Sequence, residues 1–229
     1  MYDGKVRLTK RQMKEDKFTT FMLSSKHQFL ENWQFYVIGV IVVALLIVAG
    51  VYYINSQKEA AVRDSKAYAN AMMENRNGNR QVAIAGLTEL IESTSDKELL
   101  EKSTYALGNI NFEIRNYSEA LRYWKMYVKQ FQNNSLNLSA AFGGMGAVHE
   151  NQAQFDEAAS DYVAAVEAFP DGPIEGDYLY SAERNYLLAG NVEKAQAQLD
   201  IIKEKYEDTD LYKRAARFFG ENSQTVAEK

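Results

Sequence analysis

Apolar positions along the 229-residue chain follow two different patterns. From Phe35 to Ile54 they are continuous, FYVIGVIVVALLIVAGVYYI, 20 residues without a charge. At about 1.5 Å per helical residue this run reaches across the roughly 30 Å hydrocarbon core of a bilayer, which predicts a transmembrane helix over 33–56. A cleavable signal peptide is the rival, with Val48 and Gly50 before a cut, but the preceding polar segment and the apolar run are both long for one. Trp33 and Tyr36 before the run, and Tyr52 and Tyr53 after it, stand where aromatic side chains anchor at a membrane interface.

Beyond the run the apolar positions become periodic. Alanines recur at Ala83, Ala120, Ala158 and Ala195, with spacings of 37, 38 and 37 residues. Around each, the same lanes reappear: Asn79, Asn116, Gln154 and Asn191 four before it, Leu87, Trp124, Tyr162 and Leu199 four after, and Leu90, Tyr127, Ala165 and Ile202 seven after. Twelve before lie Ala71, Gly108, Gly146 and Glu183, three of them small enough for two helices to approach closely. The pattern predicts four helical hairpins, each a helix A, a polar turn at the Asn or Gln, and a helix B with one apolar face. Gly78 and Gly190 suit a helix C-cap that needs positive φ. A single hairpin cannot bury its stripe, so the units must stack. Residues 209–221 are expected to form a final covering helix ended by Gly220, and 223–229 a flexible tail.

These lanes resemble the tetratricopeptide repeat. The clearest unit is 139–172, through Phe142, Met145, Gly146, Phe155, Ala158, Tyr162, Ala165 and Pro170, and 101–134 follows through Leu107, Gly108, Tyr117, Ala120 and Trp124. The units near 64–97 and 176–209 are degenerate, with Arg80 and Glu183 where aromatic and small residues are usual, as expected of end units. Spacings of 37 and 38 exceed the usual 34 and call for longer helices or loops between repeats. The fold class implied is all-α: an N-terminal membrane helix, then a tetratricopeptide-like α-solenoid of about four hairpins over 57–222.

Charge bears on orientation. Residues 1–32 carry seven basic and four acidic side chains, net +3, and the remainder carries 19 basic and 27 acidic, net −8. The positive-inside rule places the short N-terminus in the cytoplasm and the larger part across the membrane, in the periplasm of a bacterium. Within 1–32, Met13, Phe18, Phe21, Met22 and Phe29 interleave with Lys14, Lys17 and Lys26, which suits a basic amphipathic helix on anionic lipid or one docking a membrane partner. An acidic domain argues against a nucleic-acid partner. The absence of cysteine excludes disulfides, thiolate metal sites and a cysteine nucleophile.

The resemblance implies that helices A line a groove at fixed places in each unit. One lane reads Tyr68, Tyr105, Gly143 and Tyr180, and neighbouring lanes add Met72, Lys102, Asn109, Phe112 and Arg184. Tyrosine offers flat apolar area, a hydroxyl and little rotamer entropy to lose, so these eight side chains are the expected partner-binding surface, unless the rings only pack between helices. Lys102, Asn109 and Arg184 do not reproduce a full carboxylate clamp. No catalytic residue, cofactor or metal is expected: His149 has no second ligand or nucleophile motif near it, and the glycines at 143–146 suit helix packing, with no strand before them and no GK[ST] after.

A short basic tail, one membrane helix and degenerate repeats together are similar to the YfgM-type ancillary subunits of the bacterial Sec translocon. That similarity implies a non-enzymatic inner-membrane accessory at SecYEG, whose partners are the channel, a membrane-anchored periplasmic prolyl isomerase chaperone and unfolded secretory clients. A scaffold for outer-membrane or cell-wall assembly has the same architecture.

Overall fold

The computed structural model describes residues 10–227, and only the backbone of 10–18, 20, 23–31 and 224–227. The described residues form nine helices and no strand: α1 (Lys10–Arg76), α2 (Arg80–Ser93), α3 (Lys97–Glu113), α4 (Tyr117–Gln130), α5 (Ser135–Asn151), α6 (Phe155–Ala168), α7 (Glu175–Leu188), α8 (Val192–Tyr206) and α9 (Asp210–Ala227). The chain divides into two units between Glu59 and Ala60.

In the first unit α1 loses helical geometry at one residue, Asn32 (φ −114°, ψ 15°). From Trp33 to Glu59 every residue is exposed, including the whole apolar run. A solvent-facing apolar stretch of this length matches a membrane span in length and composition. Trp33, Tyr36, Tyr52 and Tyr53 are all exposed at its ends. Of the basic tail, Phe21 and Met22 are exposed; the side chains of Met13, Lys14, Lys17, Phe18, Lys26 and Phe29 lie outside the described residues.

The second unit is the repeat array. The end of α1 shares a core with α2 through Ala71, Ala83 and Leu87; α3 pairs with α4, α5 with α6 and α7 with α8, each of these hairpins packing on its neighbours, while α9 packs on α7 and α8. Every alanine of the repeating lane is fully buried, as are Leu87, Leu107, Ile110, Tyr127, Leu179, Leu187 and Ile202. Each such large aliphatic side chain contributes about 1.5–3 kcal/mol by leaving water.

The turns repeat closely. Asn79 N–H donates to Glu74 C=O and Gly78 N–H to Asn75 C=O, and the same pair of bonds recurs at Asn116/Arg115, Gln154/Ala153 and Asn191/Gly190. This Schellman closure needs a left-handed residue. Gly78 and Gly190 supply it as expected, both at φ 87°, but Arg115 (φ 60°) and Ala153 (φ 55°) supply it in the middle units. The Asn lane does not cap helix B through side chains. In the first two turns the amide ties the turn itself, Asn79 Nδ2 donating to Glu74 (2.6 Å) and Asn116 Nδ2 to Asn111 (3.1 Å), whereas Asn191 Nδ2 reaches Asp156 of α6 (2.5 Å).

Small residues in helix A make room for rings. A methyl on Gly108 would overlap the Trp124 indole, one on Gly144 would lie 2.6 Å from Trp124 Cη2, and one on Gly146 would lie 3.0 Å from the Tyr162 ring. Helix packing thus accounts for the glycines at 143–146. The longer repeat goes into 17-residue helices α3 and α5 and into the loop at 169–174. Gly220 does not end the last helix: α9 continues to Ala227, through residues expected as a tail. Gly220 has open space around it and no positive φ, so the chain has no cap there.

Candidate functional site

Residues of α1 and α3, with Asn137 of α5, line an open cavity of about 400 Å³: Tyr68, Met72, Asn75, Lys102, Tyr105, Ala106, Asn109, Ile110, Glu113 and Asn137. Five of the eight expected groove residues meet there: Tyr68, Met72, Lys102, Tyr105 and Asn109. Tyr68 and Met72 also rest on the core around Leu107 and Ile110, and Tyr105 lies 5.3 Å, ring to ring, from buried Tyr127. These walls are therefore half structural: one side of each ring stabilises the hairpin stack and the other borders the cavity. A second cavity, of about 320 Å³, lies between α1 and α2 and includes none of the eight.

The charges at the cavity are paired. Lys102 Nζ is 2.5 Å from Glu98 one turn back, and Glu113 Oε2 is 3.1 Å from Arg80 Nε of α2. The Glu98 hydrogen bond and charge hold the Lys102 ammonium above its ordinary pKa. Tyr127 donates to Glu101 at 2.7 Å, and burial together with that carboxylate raises its phenol. The buried Oδ1 of Asn75 has no hydrogen-bond partner.

The structure separates the other three expected residues from this cavity. Phe112 packs inside its own hairpin, 5.7 Å from both Tyr117 and Trp124. Tyr180 is covered by α9, with Phe218 edge-on at 6.4 Å and the Arg214 guanidinium 4.8 Å above its ring. Arg184 is consumed by Glu150, which also accepts from Asn185 (3.0 Å) and the Tyr162 hydroxyl (3.2 Å). The covering helix accounts for Tyr180 alone: a groove position in the last unit becomes an interior one once α9 lies across it.

Gly143, the gap in the tyrosine lane, is filled from α7 by Tyr178, whose ring occupies the space a side chain there would need. Tyr178 stacks on Tyr162 at 5.9 Å, and burial, helped by Tyr105 and Asp177, pushes its phenol up to about 12. Sequence lanes missed Tyr178 because it stands two residues before Tyr180, off the repeat. Asn75 and Glu113 occupy groove lanes too, but nothing in their residue type distinguished them. Asn137 comes from the start of α5, outside any lane.

His149 is tied down rather than free, its Nδ1 2.6 Å from Asp161 on the partner helix, with both side chains mostly buried. Burial raises the Asp161 carboxyl although His149 opposes it. Among the described residues no group of three or more His, Cys, Asp or Glu could hold a metal.

The last hairpin contains two further carboxylates with opposite surroundings. Burial raises the Glu175 pKa, but hydrogen bonds from Lys205 (2.7 Å) and Tyr206 (2.9 Å) outweigh it and the carboxyl lies below its ordinary value. Glu183, in the small-residue lane, is fully buried with both oxygens unpartnered, and burial pushes it up to about 8 against a weaker pull from Arg184.

Neither a protein-family model nor a curated protein sequence matches the chain. Solved structures do. A tetratricopeptide repeat protein from Parabacteroides merdae superposes with TM-score 0.58 at 15% identity, covering 71% of this chain, which spans 63% of that one. YrrB, a tetratricopeptide repeat protein with an unusual peptide-binding site, gives 0.51 at 21% identity over 67% of this chain and 74% of its own. MamA from Desulfovibrio magneticus RS-1, residues 41 to the end, gives 0.54 at 20% identity over 72% of this chain and 90% of its own. The array has the tetratricopeptide repeat fold.

Proposed function

We propose that this chain is a non-enzymatic, single-pass inner-membrane adaptor whose repeat groove holds protein segments beside the Sec translocon. The observation that carries the groove reading is the cavity between α1 and α3, lined by five of the side chains expected from the repeat's groove lanes. Its walls combine tyrosine faces, a methionine and neutral amides, a surface suited to polypeptide. The apolar run supports a membrane anchor, and the basic tail against an acidic array supports a cytoplasmic N-terminus with the array in the periplasm. Placement at SecYEG, with a membrane-anchored periplasmic prolyl isomerase and emerging secretory proteins as partners, rests on the architectural similarity alone.

The test is photocross-linking in cells from a benzoyl-phenylalanine placed at Tyr105, followed by mass spectrometry of the adducts. Adducts with SecYEG, the isomerase or secretory chains are expected. Reproducible adducts with a cell-wall or outer-membrane assembly complex, and none with the channel, would move the adaptor to that machinery. The absence of any protein adduct at Tyr105, with cross-links from an exposed site such as Met73, would overturn the groove itself.

A further inference from the structure

The two ends of the repeat array are finished differently. At the C-terminal end α9 turns Leu211, Ala215, Phe218 and Phe219 onto the last hairpin. Outward it presents Asp210, Lys213, Arg214, Arg217 and Glu221, all exposed and all charged. That is the polar outer face which the end of a stacked array needs in water. The array begins with α1 itself, at Ala60, so its first hairpin has no helix of the array in front of it.

The outer side of that hairpin holds the cavity of about 320 Å³ between α1 and α2, floored by Ala67, Ala71 and Gly86. A methyl on Gly86 would meet nothing nearer than Ala71 Cβ, at 3.4 Å, so the hairpin itself does not require glycine there; its lack of a side chain leaves the floor open. Two apolar side chains stand out into solvent at this end, Val82 of α2 and Met73 of α1. Internal hairpins bury such groups against a neighbour, and here the neighbour has to come from another molecule.

The pattern on the two helices says which molecule. On α1, Lys66 and Met73 are exposed seven residues apart, two turns along one ridge. On α2, Val82 and Glu89 repeat the same spacing. The helices run antiparallel from the turn at Gly78, so Met73 stands level with Val82, and Lys66 level with Glu89. Arg63, beside Lys66, already holds Asp64 at 3.0 Å, whereas among the described residues neither Lys66 nor Glu89 has an ion pair. A two-fold axis along the hairpin sets α1 of one copy opposite α2 of the other at equal height. Each ridge then meets its complement: Lys66 faces Glu89 of the second copy, Met73 faces Val82 of the second copy, and both pairs occur twice. Copies of a single-pass protein share one orientation in the membrane, so only a rotation about the membrane normal relates them, and a two-fold closes the contact on itself.

We infer that the chain forms a two-fold dimer through the outer face of its first hairpin, the Lys66–Met73 ridge of each copy lying on the Val82–Glu89 ridge of the other. The groove reading is separate, since Tyr68, Met72 and Tyr105 line the other cavity. Only the membrane anchor is taken over from the proposed function.

The experiment is sedimentation of the full-length protein in mild detergent, over a range of concentrations, with Lys66→Glu and Glu89→Lys made separately. The parent is expected to reach twice its polypeptide mass of 26.0 kDa. Each reversed protein should dimerise about tenfold more weakly, because two exposed pairs turn from attraction to repulsion at once. Mixed in equal amounts, the two reversed proteins should pair with each other at close to the parent's affinity, since both contacts of the mixed dimer regain opposite charges. Both positions are exposed, so circular dichroism melts should match the parent's. A parent that stays monomeric throughout would overturn the inference and leave this face to a different protein. A dimer indifferent to either reversal, or reversed proteins that pair no better mixed than alone, would put the contact elsewhere, in the apolar run or on α9, and overturn it as well.

Discussion

Glu183 sits at the place in helix A where the three preceding units have Ala71, Gly108 and Gly146, fully buried and with neither oxygen paired. Its pKa rises from 4.5 to about 8, which corresponds to about 5 kcal/mol between the neutral and charged forms in the folded state. The folded protein therefore binds this proton more tightly than the unfolded chain. The associated stability is fully present below about pH 4.5, falls by about 1.4 kcal/mol per pH unit, and is fully lost above about pH 8. Between pH 5 and pH 7 the loss from this one group is about 2–3 kcal/mol. Glu183→Gln keeps the shape and removes the titration. Urea unfolding of the full-length protein in mild detergent, followed by circular dichroism, should show the variant gaining on the parent as pH rises, by at least about 2 kcal/mol between pH 5 and pH 8. Comparing the two proteins cancels the other acids, including Asp161, whose raised carboxyl slopes the same way. A stability difference that stays flat across that range would refute the account, because it would mean that Glu183 reaches water or a partner when charged.

Other consequences of the packing can be measured in the same way. Ala153→Gly should stabilise by about 0.5–1 kcal/mol, because the left-handed turn at φ 55° strains any residue with a Cβ and Gly78 and Gly190 already hold the equivalent turns. Gly108→Ala should destabilise by about 1–3 kcal/mol, since its methyl runs into the rigid Trp124 indole, whereas Gly220→Ala, in open space inside α9, should be neutral or stabilising. Glu175 has the opposite pH signature to Glu183: its depressed carboxyl contributes stability above its unfolded pKa that is lost as pH falls through the folded one. Lys205→Met should flatten that acid limb of a thermal melt, and an unchanged limb would show that Lys205 does not hold Glu175.

The hairpin count, the positions of the turns and the interior lanes were legible because each rests on repetition. A residue that recurs every 37 or 38 positions at the same helical phase, as Ala83, Ala120, Ala158 and Ala195 do, reports burial four times over. The turn geometry was only half legible, since Gly78 and Gly190 signal positive φ while Arg115 and Ala153 adopt it under the pull of the same Schellman bonds. The candidate site divided along the same line. Lanes that face the cavity in the first two units predicted Tyr68, Met72, Lys102, Tyr105 and Asn109. Phe112 turns instead into its own hairpin, and Tyr180 and Arg184 lie away from the cavity because the last unit departs from the repeat: α7 begins after a proline-containing loop, α9 covers it, and Glu150 reaches across to it. Contacts made by one element of a kind leave no periodic trace.

That asymmetry bears on how the array could hold a partner. The final hairpin is cross-braced by Glu175 with Lys205 and Tyr206, by Glu150 with Arg184 and Asn185, and by Tyr178 stacked on Tyr162 over Gly143. The α1–α3 end has a cavity instead, with its charges paired off. Tyr105 stands where the two regimes meet, one face toward Tyr127 and the other bordering the cavity. Tyr105→Phe keeps both ring contacts and should preserve stability and cross-linking, while Tyr105→Ala removes both and should cost about 2–4 kcal/mol along with partner capture. Asn75→Leu separates the two roles, since the buried Oδ1 has no hydrogen bond to lose; partner capture lost with stability intact would place recognition at the amides, and capture retained would leave it with the rings.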